Sequence, residues 1–125
     1  MIIVPTYLEK SPIHGFGVFA NDFIAKGTKV WEFHPIFDLV FSEEEFERLP
    51  PSTKAEIEIH LYQPEPHGNL YYESTMGKYM NHSRDPNVDF SEVGCGWATR
   101  DIRKGEELTC DYRHFMADVS HIEYL

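Results

Sequence analysis

Apolar residues in this chain come in short runs that glycine, proline or charged residues interrupt. Residues 18–20 follow a turn with two glycines, and residues 30–33 begin after a Lys-Gly-Thr turn. Short runs bounded by turn residues are typical of β-strands. Further runs of this kind lie at residues 70–72, 88–90, 96–99 and 107–112. The sequence therefore predicts many short strands with irregular connections.

Two short helices are predicted among these strands. Ser42 and Glu45 have the spacing of a capping box that opens a helix with an acidic first turn. The two prolines at 50–51 end this helix, and Ser52 or Thr53 is predicted to cap a second one. Together these elements predict a mostly β fold with short helical insertions.

The length of 125 residues fits one domain, because most domains have about 100–150 residues. We predict a single domain over residues 1–125, with its core at 8–115 and a C-terminal tail at 113–125. No apolar stretch approaches the roughly 20 residues of a membrane helix, so no membrane span is expected. Residues 1–7 lack the features of a secretory signal, which predicts a cytoplasmic or nuclear protein.

The chain is acidic: 11 Lys and Arg against 21 Asp and Glu give a net charge of −10 with histidine neutral. This charge disfavours direct binding to nucleic acid or anionic membranes and favours a basic protein partner. Asp38 and the glutamates within residues 43–47 are candidates for steering that partner. A solvated surface that only keeps the protein soluble explains the same charges.

The cysteines and histidines show no metal-ligand spacing. Cys95 and Cys110 are the two cysteines, and we expect both to be free thiols in packed positions. The seven histidines contain no His-Glu-x-x-His or other paired spacing. We therefore expect no metal site.

A Gly-x-Gly turn is formed by Gly15, Phe16 and Gly17. Glycine allows a backbone to approach a ligand closely, but the dinucleotide-binding fingerprint needs a helix directly after the glycines. Residues 18–23 are β-rich instead, which excludes that fingerprint. A turn that serves only strand packing remains an alternative.

Two later segments carry hydrogen-bonding side chains. Residues 78–87 place Asn81 and His82 close to an aromatic ring, a mixture suited to a small polar ligand. From its residues alone this segment is predicted to be a polar loop. Residues 98–112 contain a turn between two predicted strands and end at Tyr112, which by itself suggests a core or rim tyrosine.

In order and spacing, these three segments resemble the motifs of the SET-domain protein methyltransferases. That family carries Gly-x-Gly-Val-Phe-Ala, Arg-Phe-x-Asn-His-Ser-x-x-Pro-Asn and Gly-Glu-Glu-Leu-Thr-x-Asp-Tyr segments, which correspond here to residues 15–20, 78–87 and 105–112. The resemblance extends over residues 11–115. It implies a β-clip fold with a C-terminal pseudoknot that brings the second and third motifs together.

The resemblance also implies S-adenosylmethionine as methyl donor and lysine as acceptor, bound from opposite faces and meeting in a narrow channel. Gly15, Phe16 and Gly17 would lie along the methionine part of the donor. Asn81 and His82 would hold its amino group and adenine, partly through backbone groups.

Tyr112 matches the family tyrosine whose hydroxyl lies at the channel, so it is the implied catalytic residue. Methyl transfer from a sulfonium is an in-line displacement, for which the protein mainly supplies alignment and dipoles. Lys78 and Tyr79 replace the family's arginine and phenylalanine and keep charge and aromaticity for donor binding. Phe115 is the candidate to cover the adenine, with a packing role in the core as an equal alternative.

Cys110 lies two residues before Tyr112, where the family usually has a phenylalanine or tyrosine that limits how many methyl groups fit. A small thiol leaves more room there. We therefore expect the channel to allow multiple methylation unless Phe33 or Phe37 fills the gap. With only two cysteines, the zinc segments of many family members have no counterpart, so no structural zinc is expected.

The resemblance implies a protein-lysine methyltransferase that binds a basic protein segment as an extended strand along a sheet edge. Two alternatives stay open. The chain could be a non-catalytic module with the same fold that docks a basic partner, or it could methylate a small molecule or free amino group. Tyr124, an aromatic residue near the C-terminus, suggests a homodimer that completes the substrate groove.

Overall fold

The fold is known from a computed structural model that describes residues 1–122. The suggested dimer contact at Tyr124 lies outside the described residues. Within residues 1–122 the strands are β1 (Thr6–Lys10), β2 (Phe16–Ala20), β3 (Lys29–Glu32), β4 (Asp38–Phe41), β5 (Leu70–Glu73), β6 (Asn81–His82), β7 (Val88–Asp89), β8 (Cys95–Ala98) and β9 (Glu107–Cys110). The helices are α1 (Glu43–Glu47) and α2 (Pro51–Ile57), with 3-10 turns η1 (Glu58–His60), η2 (Met76–Tyr79) and η3 (Tyr112–His114).

These strands form three small sheets, with orders β1-β2-β9-β6, β3-β8-β7 and β4-β5. The β1–β2 hairpin closes through Gly15, whose φ of +49° is in the left-handed region that favours glycine. Its register pairs Thr6 with Ala20 and Lys10 with Phe16. This hairpin holds the Gly-x-Gly turn at one end of the largest sheet.

Strand β9 lies between segments that are far apart in the chain. It pairs antiparallel with β2 and parallel with β6, where Asn81 is opposite Thr109 and His82 is opposite Cys110. The backbone N–H of Ser83 extends this ladder by donating to the carbonyl of Cys110 at 2.9 Å. This parallel pairing is the contact through which the second and third motifs meet.

The hydrophobic core draws its residues from both larger sheets. Its largest fully buried members come from β2, β3, β7 and β9 and from the loop between β8 and β9, and none exposes more than 2% of its surface. They are Val18, Val30, Val88, Ile102, Leu108 and Cys110. At about 25 cal/mol per Å² of buried apolar surface, such residues supply most of the stabilisation of a small domain.

The first predicted helix is confirmed in detail, and the start of the second is corrected. Ser42 caps α1, accepting from the N–H of Glu45 while the Glu45 carboxylate accepts from the N–H of Ser42. The predicted caps Ser52 and Thr53 are wrong, because α2 already begins at Pro51. Proline suits the first helical position, since its φ is preset and no N–H partner is needed there.

Two further segments differ from their local patterns. Asn81 and His82 were expected in a polar loop on their residues alone, yet they form β6 and expose 4% and 3% of their surface. The strand predicted through Tyr112 ends at Cys110, because Asp111 leaves the sheet and caps η3 by accepting from the N–H of Arg113. Long-range pairing and a local cap therefore override the sequence pattern at both places.

A buried charge cluster joins the β4–β5 hairpin to the N-terminus. The register places Asp38 directly opposite Glu73, and both carboxylates are buried. The ammonium of Met1 lies 3.2 Å from both Asp38 oxygens and 3.8 Å from Glu73 Oε1. Burial raises the pKa of Glu73 to about 7, and the facing Asp38 acts in the same direction.

We expect Glu73→Gln to change how stability depends on pH. Because the folded-state pKa lies above the unfolded value of 4.5, the wild type loses stability as pH rises from about 4.5 through 7. The variant has no such loss. The free energy of unfolding of the variant minus that of the wild type should therefore rise by about 3 kcal/mol across that window. Urea unfolding at pH 5 and pH 8 measures the difference.

Glu58→Gln is the matched control, because Glu58 is exposed and makes the same charge change. Its stability difference from the wild type should stay constant with pH within about 0.5 kcal/mol. Equal pH profiles for wild type and Glu73→Gln would contradict the raised pKa.

Candidate functional site

A cleft of about 1170 Å³ lies where the three motif segments come together. The Gly-x-Gly turn forms one wall, η2 and β6 form a second, and the end of β9 with η3 forms a third. The segment after η3 contributes Phe115 and Met116, and residues near η1 complete the rim. Three segments that are distant in sequence therefore share one cavity.

Most of the predicted site residues line this cleft, and two do not. The lining contains Gly15, Phe16, Phe33, Lys78, Tyr79, Asn81, Cys110, Tyr112 and Phe115. Gly17 and His82 are buried behind the wall and are not among the lining residues. Phe37, the other residue considered for filling the channel, lies with its ring tilted against that of His34 and is outside the lining as well.

Asn81 joins the Gly-x-Gly turn to β9. Its side-chain Nδ2 donates to the carbonyls of His14 at 2.9 Å and Phe16 at 3.2 Å, and to Glu107 Oε2 at 2.9 Å. The Glu107 carboxylate also accepts from the hydroxyl of Ser11 at 2.8 Å. The amide of Asn81 thus fixes the turn that forms one wall of the cleft.

Gly17 is needed here because of Glu107. A Cβ at position 17 would lie 2.3 Å from Glu107 Oε2 and 3.1 Å from the Ser11 Cβ. The absent side chain therefore makes room for the half-buried carboxylate that anchors Asn81. This packing requirement accounts for the second glycine of the motif without any contact to the cleft.

Two hydrogen bonds hold Tyr112. Its hydroxyl donates to the carbonyl of Met80 at 2.8 Å, and its backbone N–H donates to His82 Nδ1 at 3.1 Å. The ring centres of His82 and Tyr112 lie 5.3 Å apart. Both partners belong to the second motif, so the position of the third-motif tyrosine depends on the β6–β9 pairing.

The charge state of His82 follows from these contacts. Since Nδ1 accepts a hydrogen bond, the neutral ring carries its proton on Nε2, which is buried without a hydrogen-bond partner among the described residues. Burial lowers the pKa of His82, although Asp111 partly opposes that shift. The carboxylate of Asp111 instead pairs with the guanidinium of Arg113, which lowers the pKa of Asp111 to about 2.

Lys78 and Tyr79 occupy the wall opposite the turn. The Lys78 ammonium lies 3.0 Å from the hydroxyl of Tyr72, and it lies 5.1 and 5.7 Å from the ring centres of Tyr72 and Tyr79. The bond to Tyr72 raises the pKa of Lys78. His60 packs edge-on against Tyr79 at 4.9 Å, and burial lowers the pKa of that histidine.

Tyr62, Tyr71 and Phe90, which form an aromatic wall of the cleft with the predicted Phe115, were not predicted from the sequence. Tyr62 stacks on Tyr71 at 5.1 Å and meets Phe115 edge-on at 5.5 Å. Phe115 also contacts Phe90 and Tyr112. Phe115 therefore lines the cleft and packs against the core at once. The alternation within β5 was the one available signal, because Tyr71 and Glu73 share a face and both reach the cleft.

Cys110 is a sequestered thiol. It exposes 2% of its surface, its Sγ lies 3.9 Å from the carbonyl of Asn81, and burial raises its pKa strongly. Cys95 is half-buried, and both cysteines are free thiols as predicted. Phe33 lies across the cleft, edge-on to Tyr71 at 6.4 Å.

The site as a whole offers aromatic faces, backbone carbonyls and the hydroxyl of Tyr112. Over residues 1–122 no three His, Cys, Asp or Glu side chains are grouped so that they could hold a metal ion. No helix in the described part of the chain is long and apolar enough to cross a membrane. Such a site can align two ligands that each carry a positive charge on an apolar chain. Its carbonyl and hydroxyl dipoles would surround the atoms that react.

Comparison with known proteins gives consistent matches. The SET domain family model matches residues 15–113. A Plasmodium falciparum protein, provisionally named histone-lysine N-methyltransferase 1, is 29% identical over 121 residues. The match covers 86% of this chain and 2% of that protein. A Debaryomyces hansenii histone-lysine N-methyltransferase named as specific for H3 lysine-36 is 26% identical over 114 residues, covering 82% of this chain and 15% of that protein.

A solved Plasmodium falciparum structure, provisionally titled a histone methyltransferase, shares the fold with a TM-score of 0.60 at 20% identity. The match covers 89% of this chain and 95% of that one. This chain spans only a small part of the two curated relatives, 2% and 15% of their lengths.

We expect Asn81→Ala to destabilise the fold by about 2–3 kcal/mol, because it removes a buried donor from a carboxylate and two carbonyls. Asn21→Ala is the control, since Asn21 is exposed and should change stability by less than about 0.5 kcal/mol. Urea unfolding measures both variants. If Asn81→Ala unfolds at the same urea concentration as the wild type, the Asn81 amide does not hold the Gly-x-Gly turn.

Proposed function

The chain belongs to the SET-domain family, and on that premise we propose that it transfers a methyl group from S-adenosylmethionine to a lysine side chain of a basic protein. The observation that carries this proposal is the convergence of all three motifs on one cleft. Asn81 and Tyr112, which are far apart in sequence, both line it. Lysine methyl transfer is the chemistry after which the curated relatives are named.

We assign the donor to the part of the cleft between the Gly-x-Gly turn and η2. The fit rests on open backbone at Gly15, where a Cβ would meet nothing within 4 Å, and on the aromatic faces of Tyr79 and Phe115. Lys78 and Asn81 line the same region and supply polar groups. Gly17 and His82 act from behind the wall, by giving room to Glu107 and by holding Tyr112. When bound, S-adenosylmethionine supplies an electrophilic methyl group on a sulfonium.

Tyr112 is proposed as the catalytic residue. Because its hydroxyl proton goes to the Met80 carbonyl, the group acts toward a nearby positive charge as an oxygen dipole. The acceptor lysine has an unperturbed pKa of about 10.4 and must reach the site as the neutral amine. Desolvation among aromatic residues such as Phe33 and Tyr71 lowers the pKa of that lysine, so a dedicated base is not required.

A basic protein segment is the proposed substrate. The charge of −10 favours approach of a cationic partner. The glutamates of α1 are exposed at the surface, and Glu58 and Glu65 lie exposed on the rim of the cleft. We expect the protein in the cytoplasm or the nucleus, where basic substrates of this kind occur.

We expect Tyr112→Phe to lower methyl transfer by about 100-fold or more, because a dipole at the reacting centre is removed. Donor affinity should stay within about threefold of the wild type. Transfer is measured with labelled S-adenosylmethionine and a core-histone mixture, and donor affinity by calorimetry. Tyr7→Phe is the control, because Tyr7 stacks on Phe19 away from the cleft and should leave transfer unchanged.

Wild-type transfer rates in Tyr112→Phe would remove Tyr112 from the catalytic role. If the wild-type protein binds the donor but labels no basic protein, the chain is a non-catalytic binding module instead. Labelling of small amines only would assign it to small-molecule methylation.

We further propose that the channel accommodates more than one methyl group, because Cys110 lines the cleft where a larger side chain would take up space. Exhaustive reaction of the wild type should yield dimethyl- or trimethyl-lysine by mass spectrometry. Cys110→Tyr should shift the product to monomethyl-lysine, and Cys95→Ser, outside the cleft, should leave it unchanged. Monomethyl-lysine alone from the wild type would contradict the proposal.

A further inference from the structure

Glu73 is a buried carboxyl group in the wall of the cleft that the roles described above do not use. It exposes 4% of its surface and lies two residues after Tyr71 on β5. Residues at this spacing share one face of a strand, and both side chains line the cleft. A carboxyl group therefore stands beside the aromatic wall.

One oxygen of Glu73 has no hydrogen-bond partner within residues 1–122. Oε1 accepts from the hydroxyl of Thr75 and lies 3.8 Å from the Met1 ammonium, whereas Oε2 is buried and unpaired within the described residues. Oε2 packs against Gly77, where a Cβ would approach it to 2.7 Å. Gly77 also lines the cleft, so this oxygen lies in the cleft wall next to a residue without a side chain.

The charged and titratable groups that face Glu73 offset its charge only in part. The Met1 ammonium lies 3.8 Å from Glu73 but is held more closely by Asp38, at 3.2 Å from both oxygens, and Asp38 repels Glu73 from the opposite strand. The Lys78 ammonium is bonded to Tyr72, and Tyr62 is neutral because burial and these carboxylates raise its pKa. An ionised Glu73 thus shares its nearest cation with Asp38.

We propose that Glu73 binds the ammonium group of the acceptor lysine as that side chain enters the cleft. The contact is an ion pair with a charge-assisted hydrogen bond to a carboxylate oxygen. It rests on the proposed function and adds to it a residue that selects a cationic acceptor. A charged oxygen buried without a partner costs free energy, and an incoming ammonium removes that cost.

The surroundings of Glu73 match a lysine side chain. Tyr71 lies between Tyr62, at 5.1 Å, and Phe33, at 6.4 Å, so aromatic faces extend along the approach. Such faces pack against the methylene stem of lysine and attract its ammonium. Carboxylate and rings together favour a cation on an apolar stem over a neutral side chain of the same length.

The binding test uses the wild-type full chain with N-acetyl-lysine methylamide as the probe and N-acetyl-norleucine methylamide as its uncharged counterpart. NMR of the Glu73 side-chain carboxyl carbon reports its titration midpoint. A bound ammonium favours the ionised carboxylate, so saturation with the lysine probe should lower the midpoint by at least one pH unit. The norleucine compound should leave it unchanged. An unchanged midpoint, or no binding of the lysine probe, would overturn the proposal.

Variants give a second measurement. Glu73→Gln keeps the size of the side chain and should weaken lysine-probe binding at least tenfold, whereas Glu56→Gln, an exposed carboxylate outside the cleft lining, should stay within twofold of the wild type. Circular dichroism checks that both variants are folded. Wild-type affinity in Glu73→Gln, or an equal loss in Glu56→Gln, would overturn the proposal.

These readouts are independent of methyl transfer. A midpoint shift with the probe but no labelling of core histones would support the ammonium site while the proposed enzymatic function fails. Labelling of histones with an unshifted midpoint and unchanged binding in Glu73→Gln would support the function and reject the role of Glu73.

Discussion

The parallel pairing of β6 with β9 is the interaction on which the site depends. It consists of only two residue pairs, Asn81 with Thr109 and His82 with Cys110, yet it closes a loop of nearly thirty residues. Closing such a loop costs conformational entropy, which the buried apolar residues of β9 offset. Without this pairing, Tyr112 would lose its contacts to Met80 and His82, and the turn at Gly15 would lose Asn81.

Asn81, Asn87, Glu107 and Thr109 form a hydrogen-bonded network around this pairing. Asn81 and Glu107 bind each other, and Asn87 donates to the Glu107 carbonyl while accepting from the N–H of Thr109. In a low-dielectric interior such bonds are strong when every partner is present and costly when one is missing. The network therefore ties the orientation of the cleft walls to the folding of the sheet, and the motif residues serve structure and site together.

The sequence predicted the family and the mostly β fold, and both are confirmed by the family match and by the structure. Local chemistry was sufficient where one turn decides the outcome, as at the Ser42 capping box. It failed at Asn81 and His82, because two polar residues form a strand only when a partner strand arrives from elsewhere in the chain. The Asp38–Glu73 pair was invisible for the same reason, since cross-strand register is set by the whole hairpin.

The assignment of roles within the motifs also needed the structure. The sequence resemblance placed Gly17 and His82 with the residues that bind the donor, and in the structure both are buried and lie outside the cleft lining. Gly17 leaves room for Glu107, and His82 accepts a hydrogen bond from the backbone of Tyr112. Phe115 was a predicted site residue, but its contacts with Tyr62 and Phe90 could not be predicted, because the three residues come from separate segments that meet only in the folded chain.

The burial of Cys110 has a consequence for chemical targeting of the protein. The nucleophile in thiol chemistry is the thiolate, and an inaccessible sulfur with a strongly raised pKa forms almost none of it. Electrophilic reagents and peroxides would react first at Cys95, which is half-buried on β8 and outside the cleft. Covalent modifiers aimed at sulfur would therefore label this molecule without blocking its central cavity.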